Sequence, residues 1–327
     1  MRILVAISKR VLQLAVLSLL ITSATFLLSS FFPGDFFSSQ ELDPTIRRQT
    51  IDLMRQRYGL DQPILVQYSR WLSRCAHLDF GESHFYQQPV RGVVFDALAK
   101  TLWMGIPALA FGMLGGVLLG TTHALNRNNS FGLALDLLAT VALALPTLLL
   151  GLGALLIAAS TNWFPLGSMS SFNLPDARFA TWLTDRIHHL VLPVACLTVP
   201  ILVYVERIQC SATQGLLSEP YVRAARARGL GRWHIFFHYL LRPSLNPILS
   251  TAGPLFASIL SGSLVLEVIF SWPGLGQVTL NALLNWDTAL VVGCVAGSTV
   301  LLVTGNLATD ILLLLLDPRI RVQDGLI

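Results

Sequence analysis

The chain is 327 residues long, 54% hydrophobic and only 12% charged, with a mean hydropathy of +0.64. Soluble domains carry roughly 25% charged residues, so the composition excludes an ordinary soluble fold and predicts an all-α, polytopic membrane protein. The net charge of +4 is scattered between apolar runs, with no basic stripe interleaved with aromatics, which argues against a nucleic-acid partner.

The first apolar run, Val11 to Phe32, holds 22 uncharged residues behind Arg2, Lys9 and Arg10. At 1.5 Å per residue it spans about 33 Å, enough for a hydrocarbon core of roughly 30 Å. No A-x-A cleavage pattern follows, so an uncleaved first span is expected, with residues 1–32 forming a cytoplasmic amino terminus and that span. Residues 33–100 read as a periplasmic helical region. Asp43-Pro44 resembles a helix start and Gly59 a stop, and a second helix begins near Pro63 with Ile64, Leu65, Tyr68, Trp71, Leu72 and Cys75 on one face. That face suits the outer bilayer surface, a cap over a pore or an external docking surface. Cys75, Cys196, Cys210 and Cys294 include no C-x-x-C pair, so neither a disulfide framework nor a metal site is expected.

Residues 101–316 carry five more spans: Thr101 to Leu125, Leu133 to Ala158, Leu190 to Val205 with a helical extension, Ile248 to Phe270, and Leu290 to Leu316. A loop over 206–247 interrupts them, and 317–327 form a tail. Six transmembrane helices leave both termini on one side. With the amino terminus cytoplasmic, that side holds twelve basic residues against four acids, and the other ten against eleven. The positive-inside rule therefore places both termini and the 206–247 loop on the cytoplasmic side of the membrane.

Catalytic signatures are absent from the sequence. A phosphate-binding loop needs Gly-Lys-[Ser/Thr], but Lys9 follows Ser8 and Lys100 follows Ala99. There is no H-E-x-x-H and no G-x-S-x-G, so no enzyme activity and no cofactor are expected in this chain. Ionisable and polar groups in or beside spans are Asp136, Arg207, Glu267, Asn306 and Asp310. Asp136 reads as interfacial. Glu267 and Asp310 suit pairing between helices or, as an alternative, proton carriage in a secondary transporter. After the fifth span Trp272, Pro273, Gly274 and Gly276 predict a periplasmic turn, with Trp272 suited to an interfacial belt.

The cytoplasmic loop contains "SEPYVRAARARGLGRWHIFFHYLLRP", residues 218 to 243. Glu219-Pro220 predicts a helix start, and Gly229 a stop at positive φ. Trp233, Phe236, Phe237, Leu240 and Leu241 predict a second helix with an apolar face, ended by Pro243. Attraction of the arginines to anionic lipid, about 1 kcal/mol each, accounts for the charge but not for the alanines. A lipid-inserting helix needs bulky apolar residues, whereas small ones let another backbone approach. The first helix therefore reads as a knob for a cytosolic protein, and the second as its membrane-facing brace.

"YVRAARARGL" resembles the EAA-type coupling loop of ABC importer permeases, with Ala224, Ala225 and Gly229 in register and Arg223 at the glutamate position. "FPGD", "YGLDQPILVQYSRWL", "LDFGESHFYQQPV", "HHLVLPVACLTVP", "LEVIFSWPGLG" and "DILLLLLDPRIR" are similar, in the same order, to the B-type permease of the oligopeptide/dipeptide/nickel branch. One position departs: Arg207 is present, but Cys210 stands where that branch commonly has a second arginine. The resemblance implies a non-catalytic permease whose ATPase-coupling interface comprises Glu219, Tyr221, Arg223, Ala224, Ala225, Arg226, Arg228 and Gly229. It also implies a second, C-type permease subunit, two ATP-binding subunits that hold ATP and Mg, and a periplasmic or lipid-anchored substrate-binding protein.

Overall fold

The computed structural model describes residues 2–31, 61–75, 79–171 and 179–316, together with Gln49, Leu53, Gln56 and Gly59. The "FPGD" stretch and the tail 317–327 lie outside the described residues, as does the expected helix from Asp43 except for Gln49, Leu53 and Gln56, which are helical, and its expected stop at Gly59, which has φ +70°. Two compact units divide the chain: Met1–Thr101 with Pro273–Val303, and Leu102–Trp272 with Thr304–Ile327.

In the first unit, α1 (Arg2–Phe31) covers the expected first span from Val11 as far as Phe31, and α2 (Ile64–Cys75) is the expected second helix. The aromatic face of α2 is partly used by α1: Tyr68 Oη and Ser23 Oγ are 2.9 Å apart, and Trp71 stacks on Phe26 at 5.2 Å. At the end of α2, burial and the neighbouring Asp79 push the Cys75 thiol up to about 11 against the opposing pull of Arg74, so it stays a protonated thiol. A two-stranded hairpin, β1 (Glu82–Ser83) and β2 (Gln88–Pro89), precedes α3 (Val90–Leu125). Hydropathy predicts α3 only from Thr101, because Arg91, Asp96 and Lys100 interrupt the apolar run. The helix begins earlier because Val90, Val94 and Ala97 form a buried face. They pack with Leu275, Val278 and Ala282 of α10 (Leu275–Leu284) and with Leu290 and Cys294 of α11 (Thr288–Leu316).

Between α10 and α11, Asp287 is fully buried. One carboxylate oxygen accepts from Ser83 Oγ (2.7 Å) and the Phe85 N–H (3.1 Å), and the other from the Leu290 N–H (3.1 Å). A single side chain thus caps the start of α11 and pins the hairpin.

The second unit is built around α6 (Phe179–Leu217), which extends well past the expected Leu190–Val205 span at both ends. Its core joins Leu197, Ile201 and Val205 of α6 to Met104 and Ala108 of α3 and to Ile248, Leu255, Ile259 and Leu266 of α9 (Leu241–Ile269). Along α3, Gly112, Gly116 and Gly120 recur every four residues, which puts them on one face. An added Cβ would lie 2.6 Å from Ile201 Cγ2, 2.6 Å from Val205 Cβ and 2.5 Å from the Glu206 carbonyl oxygen, respectively. A groove of small residues on α3 therefore receives a ridge of α6 at backbone contact distance.

The expected third span, Leu133 to Ala158, is two helices, α4 (Ser130–Ala144) and α5 (Thr147–Thr161), bent by 101°. Pro146 causes the break: it supplies no N–H and drives Leu145 to an extended conformation, φ −84° and ψ 117°. Among the described residues, four helical stretches are long and apolar enough to cross a membrane: Val90–Leu125, Phe179–Leu217, Phe236–Ile269 and Thr288–Thr309. The α4–α5 pair adds a fifth if counted as one broken span, and α1 contributes a shorter apolar stretch, Ala15–Leu28.

Candidate coupling surface

Beyond α6 the chain turns through Ser218 and Glu219 into α7 (Pro220–Ala227). Pro220 stands in the first turn, where its missing donor costs nothing, and the Glu219 carbonyl accepts from the N–H groups of Val222 and Arg223, both at 3.1 Å. Val222 and Ala225, three residues apart, face inward with 0% exposure. They form a small core with Ile235 and Leu240, flanked by Leu216, Leu230 and Phe236. At the far end the Gly229 N–H donates to the Arg226 carbonyl (2.9 Å) and the Leu230 N–H to the Ala225 carbonyl (3.3 Å), with Gly229 at φ +74°. This paired closure requires a left-handed residue, and Leu230 packing beside Ala225 is the apolar contact that accompanies it.

The expected interface residues divide into two groups. Glu219, Tyr221, Arg223, Ala224, Arg226, Arg228 and Gly229 are exposed, whereas Ala225 belongs to the segment's own core. The outward face carries three arginines and the small residues Ala224 and Ala227. Burial and the nearby Glu219 carboxylate push the Tyr221 phenol up, so it adds no negative charge.

The expected brace differs in its course. Helix α8 (Arg232–Ile235) runs into a wider turn over Phe236–Leu240, where the Leu241 N–H donates to the Phe236 carbonyl five residues back, and then into α9 without a stop. Pro243 does not end a helix: it lies three residues into α9, just beyond the wider turn, and the chain stays helical through it. Leu240 is buried and Phe236 half-buried against α7, whereas Phe237 is exposed. The Trp233 side chain lies outside the described residues.

Upstream of α7, the end of α6 carries a polar network that hydropathy does not reveal. Arg207 pairs with the Asp136 carboxylate of α4 and donates to the Asp136 carbonyl (3.2 Å) and Thr140 Oγ1 (2.7 Å). Glu206, buried, lies 2.6 Å from Nδ1 of His123 on α3. Gln209, fully buried, donates through Nε2 to Thr121 of α3 (3.0 Å), Thr213 (3.3 Å) and Ser244 of α9 (2.9 Å). The helix leading to α7 is thereby joined to α3, α4 and α9.

The remaining expected positions are dispersed. Glu267 is fully buried near the end of α9. Asn306 is half-buried on α11, close to Gly253, and the Asp310 side chain lies outside the described residues. Trp272 is not an exposed belt residue: it is 0% exposed, because Ser271 at φ +50° turns the chain so that the Trp272 N–H reaches the Glu267 carbonyl at 2.8 Å. Pro273 and Gly274 lead into α10, and the Leu275 N–H donates to Thr101 Oγ1 at 2.8 Å, with Gly276 in the first turn.

Comparison with known proteins gives a consistent family. Residues 112–322 match the binding-protein-dependent transport system inner membrane component, and residues 2–105 match the N-terminal region of such membrane components. The chain is 30% identical, over 96% of its length and 98% of the relative's, to the oligopeptide transport system permease protein AppB of Bacillus subtilis (strain 168). It is also 30% identical, with the same coverage, to the oligopeptide transport system permease protein OppB of Haemophilus influenzae. A solved inward-facing structure of the MetNI methionine ABC transporter shares its fold, with a TM-score of 0.53 at 17% identity over 69% of this chain and 97% of that one. With its long apolar helices and family matches over nearly its whole length, the chain belongs to the binding-protein-dependent ABC transporter permeases, multi-pass proteins of the bacterial inner membrane.

Proposed function

We propose that this chain forms the translocation pathway of a peptide importer and is driven by ATP hydrolysis in separate subunits that dock on α7. The observation that carries this reading is the build of α7: a short helix fixed from behind by its own core, with a cationic, small-residue face turned outward. A helix held this way transmits displacement without deforming, because packed interfaces switch between discrete arrangements. The names of the relatives from Bacillus and Haemophilus favour oligopeptides as the solute. In this reading ATP and Mg bind two partner ATPases, a second, C-type permease subunit completes the pathway, and a periplasmic or lipid-anchored protein delivers the solute. Six spans with both termini cytoplasmic would put α7 on the ATPase side. Proton-coupled transport through Glu267 and Asp310 gains no support, since the relatives over nearly the full length are binding-protein-dependent permeases.

Ala224→Trp and Arg226→Glu test the proposal, because both positions are exposed and neither belongs to the segment's core. Each is expected to abolish co-purification of the ATPase subunits and peptide uptake while membrane insertion and melting temperature stay unchanged. Undiminished co-purification with both variants would contradict the proposal.

A further inference from the structure

Toward the α7 end of α6, within the second unit, His123 on α3 meets Glu206 and Cys210 on α6. Glu206 and Cys210 are four residues apart and so share a face of α6, and Gly120, one turn before His123, lets α3 approach that face. All three side chains are buried, and a ring nitrogen of His123, a Glu206 carboxylate oxygen and Cys210 Sγ lie within 4.8 Å of one another. The hydrogen bonding there is incomplete. Glu206 Oε1 meets His123, but Oε2 is buried without a hydrogen-bond partner among the described residues, with Arg207 Nε 3.8 Å away. Gln209 Oε1, next to Cys210 in the chain, is a second buried acceptor in the same condition. A buried carboxylate oxygen with no hydrogen bond and only a 3.8 Å ion pair to Arg207 is incompletely compensated, and a cation between the three donors would satisfy it.

We propose that His123, Glu206 and Cys210 form a binding site for a borderline-soft divalent transition ion, of which zinc is the best fit. One nitrogen, one carboxylate oxygen and one sulfur match zinc or cobalt rather than the all-oxygen shells of magnesium and calcium. Binding converts the Cys210 thiol to a thiolate and releases its proton to water, and the proton of the His123–Glu206 hydrogen bond passes to the other ring nitrogen of His123 or to water, leaving a neutral imidazole and a carboxylate as ligands. A dication with two anionic ligands then leaves the buried site neutral. The ion takes the place of the hydrogen bond between His123 and Glu206 and staples α3 to α6. Sequence spacing gives no hint of such a site, because its ligands come from two helices. The site stands on this geometry alone and is independent of the transport reading.

The test uses the full chain purified in detergent, stripped with a chelator, loaded with cobalt(II) and dialysed. The expected result is about one ion per chain, a near-ultraviolet thiolate-to-cobalt band, and a higher melting temperature with zinc. The band should persist when Cys75, Cys196 and Cys294 are replaced by alanine and vanish in Cys210→Ser. Should the triple variant fail to fold, His123→Gln and Cys210→Ser in the otherwise unaltered chain decide, both being expected to lose retained metal. A chain that retains no cobalt, or a Cys210→Ser chain that keeps the band, would overturn the proposal.

Discussion

Helices α7 and α10 end in the same pair of backbone hydrogen bonds, yet their surroundings are built for opposite tasks. The turn after α7 uses Gly229 at φ +74°, with open space around it. The turn after α10 uses Trp286 at φ +55°, its N–H donating to the Leu283 carbonyl (3.3 Å) and the Asp287 N–H to the Ala282 carbonyl (2.9 Å). A bulky residue in the left-handed region costs roughly 1–2 kcal/mol. Asp287, the next residue, offsets that cost with three hydrogen bonds to the hairpin and α11. One region is a locked internal joint. The other is a helix fixed on one side by a small core and exposed on the other, as a surface for another protein would be.

Removing the lock should have the largest effect. Asp287→Ala strips a helix cap and leaves a buried hydroxyl and backbone donors unpaired, so a loss of about 3–5 kcal/mol is expected, read as a fall in melting temperature and early proteolysis of the hairpin. Asp287→Asn, which keeps an acceptor, should lose much less. Gly120→Leu follows: its Cβ would lie 2.5 Å from the Glu206 carbonyl and 2.8 Å from Gln209 Cβ, forcing α3 from α6 at a cost of about 1–3 kcal/mol, measurable by chemical denaturation in detergent. Gly229→Val should cost about 1–2 kcal/mol and appear as faster amide exchange confined to α7. Trp286→Gly, by contrast, should change stability by less than about 1 kcal/mol, since relief of the left-handed strain compensates for removing the packing of a partly exposed ring. The smallest effect concerns pH. Because burial and Glu219 raise the Tyr221 phenol above its ordinary value of 10, it stays protonated, and ATPase co-purification should be flat between about pH 8 and 9.

The course of α7 was legible in the sequence because its determinants are local: Pro220 at the start, Gly229 at the end, and alanines between. The inward role of Ala225 was not, since an eight-residue helix acquires an inside only when Ile235 and Leu240 fold onto it. Pro146 and Pro243 were visible, but a proline's effect depends on its surroundings: the first breaks a span, whereas the chain stays helical through the second, just beyond the wider turn. The four-residue glycine repeat on α3 was equally visible, and hydropathy passes over it. The pairing of His123 with Glu206 was illegible, because the partners are 83 residues apart and counting charges assigns Glu206 to a loop.

The most direct test of the coupling account places a photo-activatable cross-linking residue at Arg223, on the outer face of α7, and in a second variant at the exposed Phe85 of the hairpin. Both are expressed with the whole transporter in native membranes. The account predicts an adduct with an ATPase subunit from position 223 and none from position 85. Adducts with the ATPase from 85 alone, or none from 223 in a transport-active complex, would contradict it.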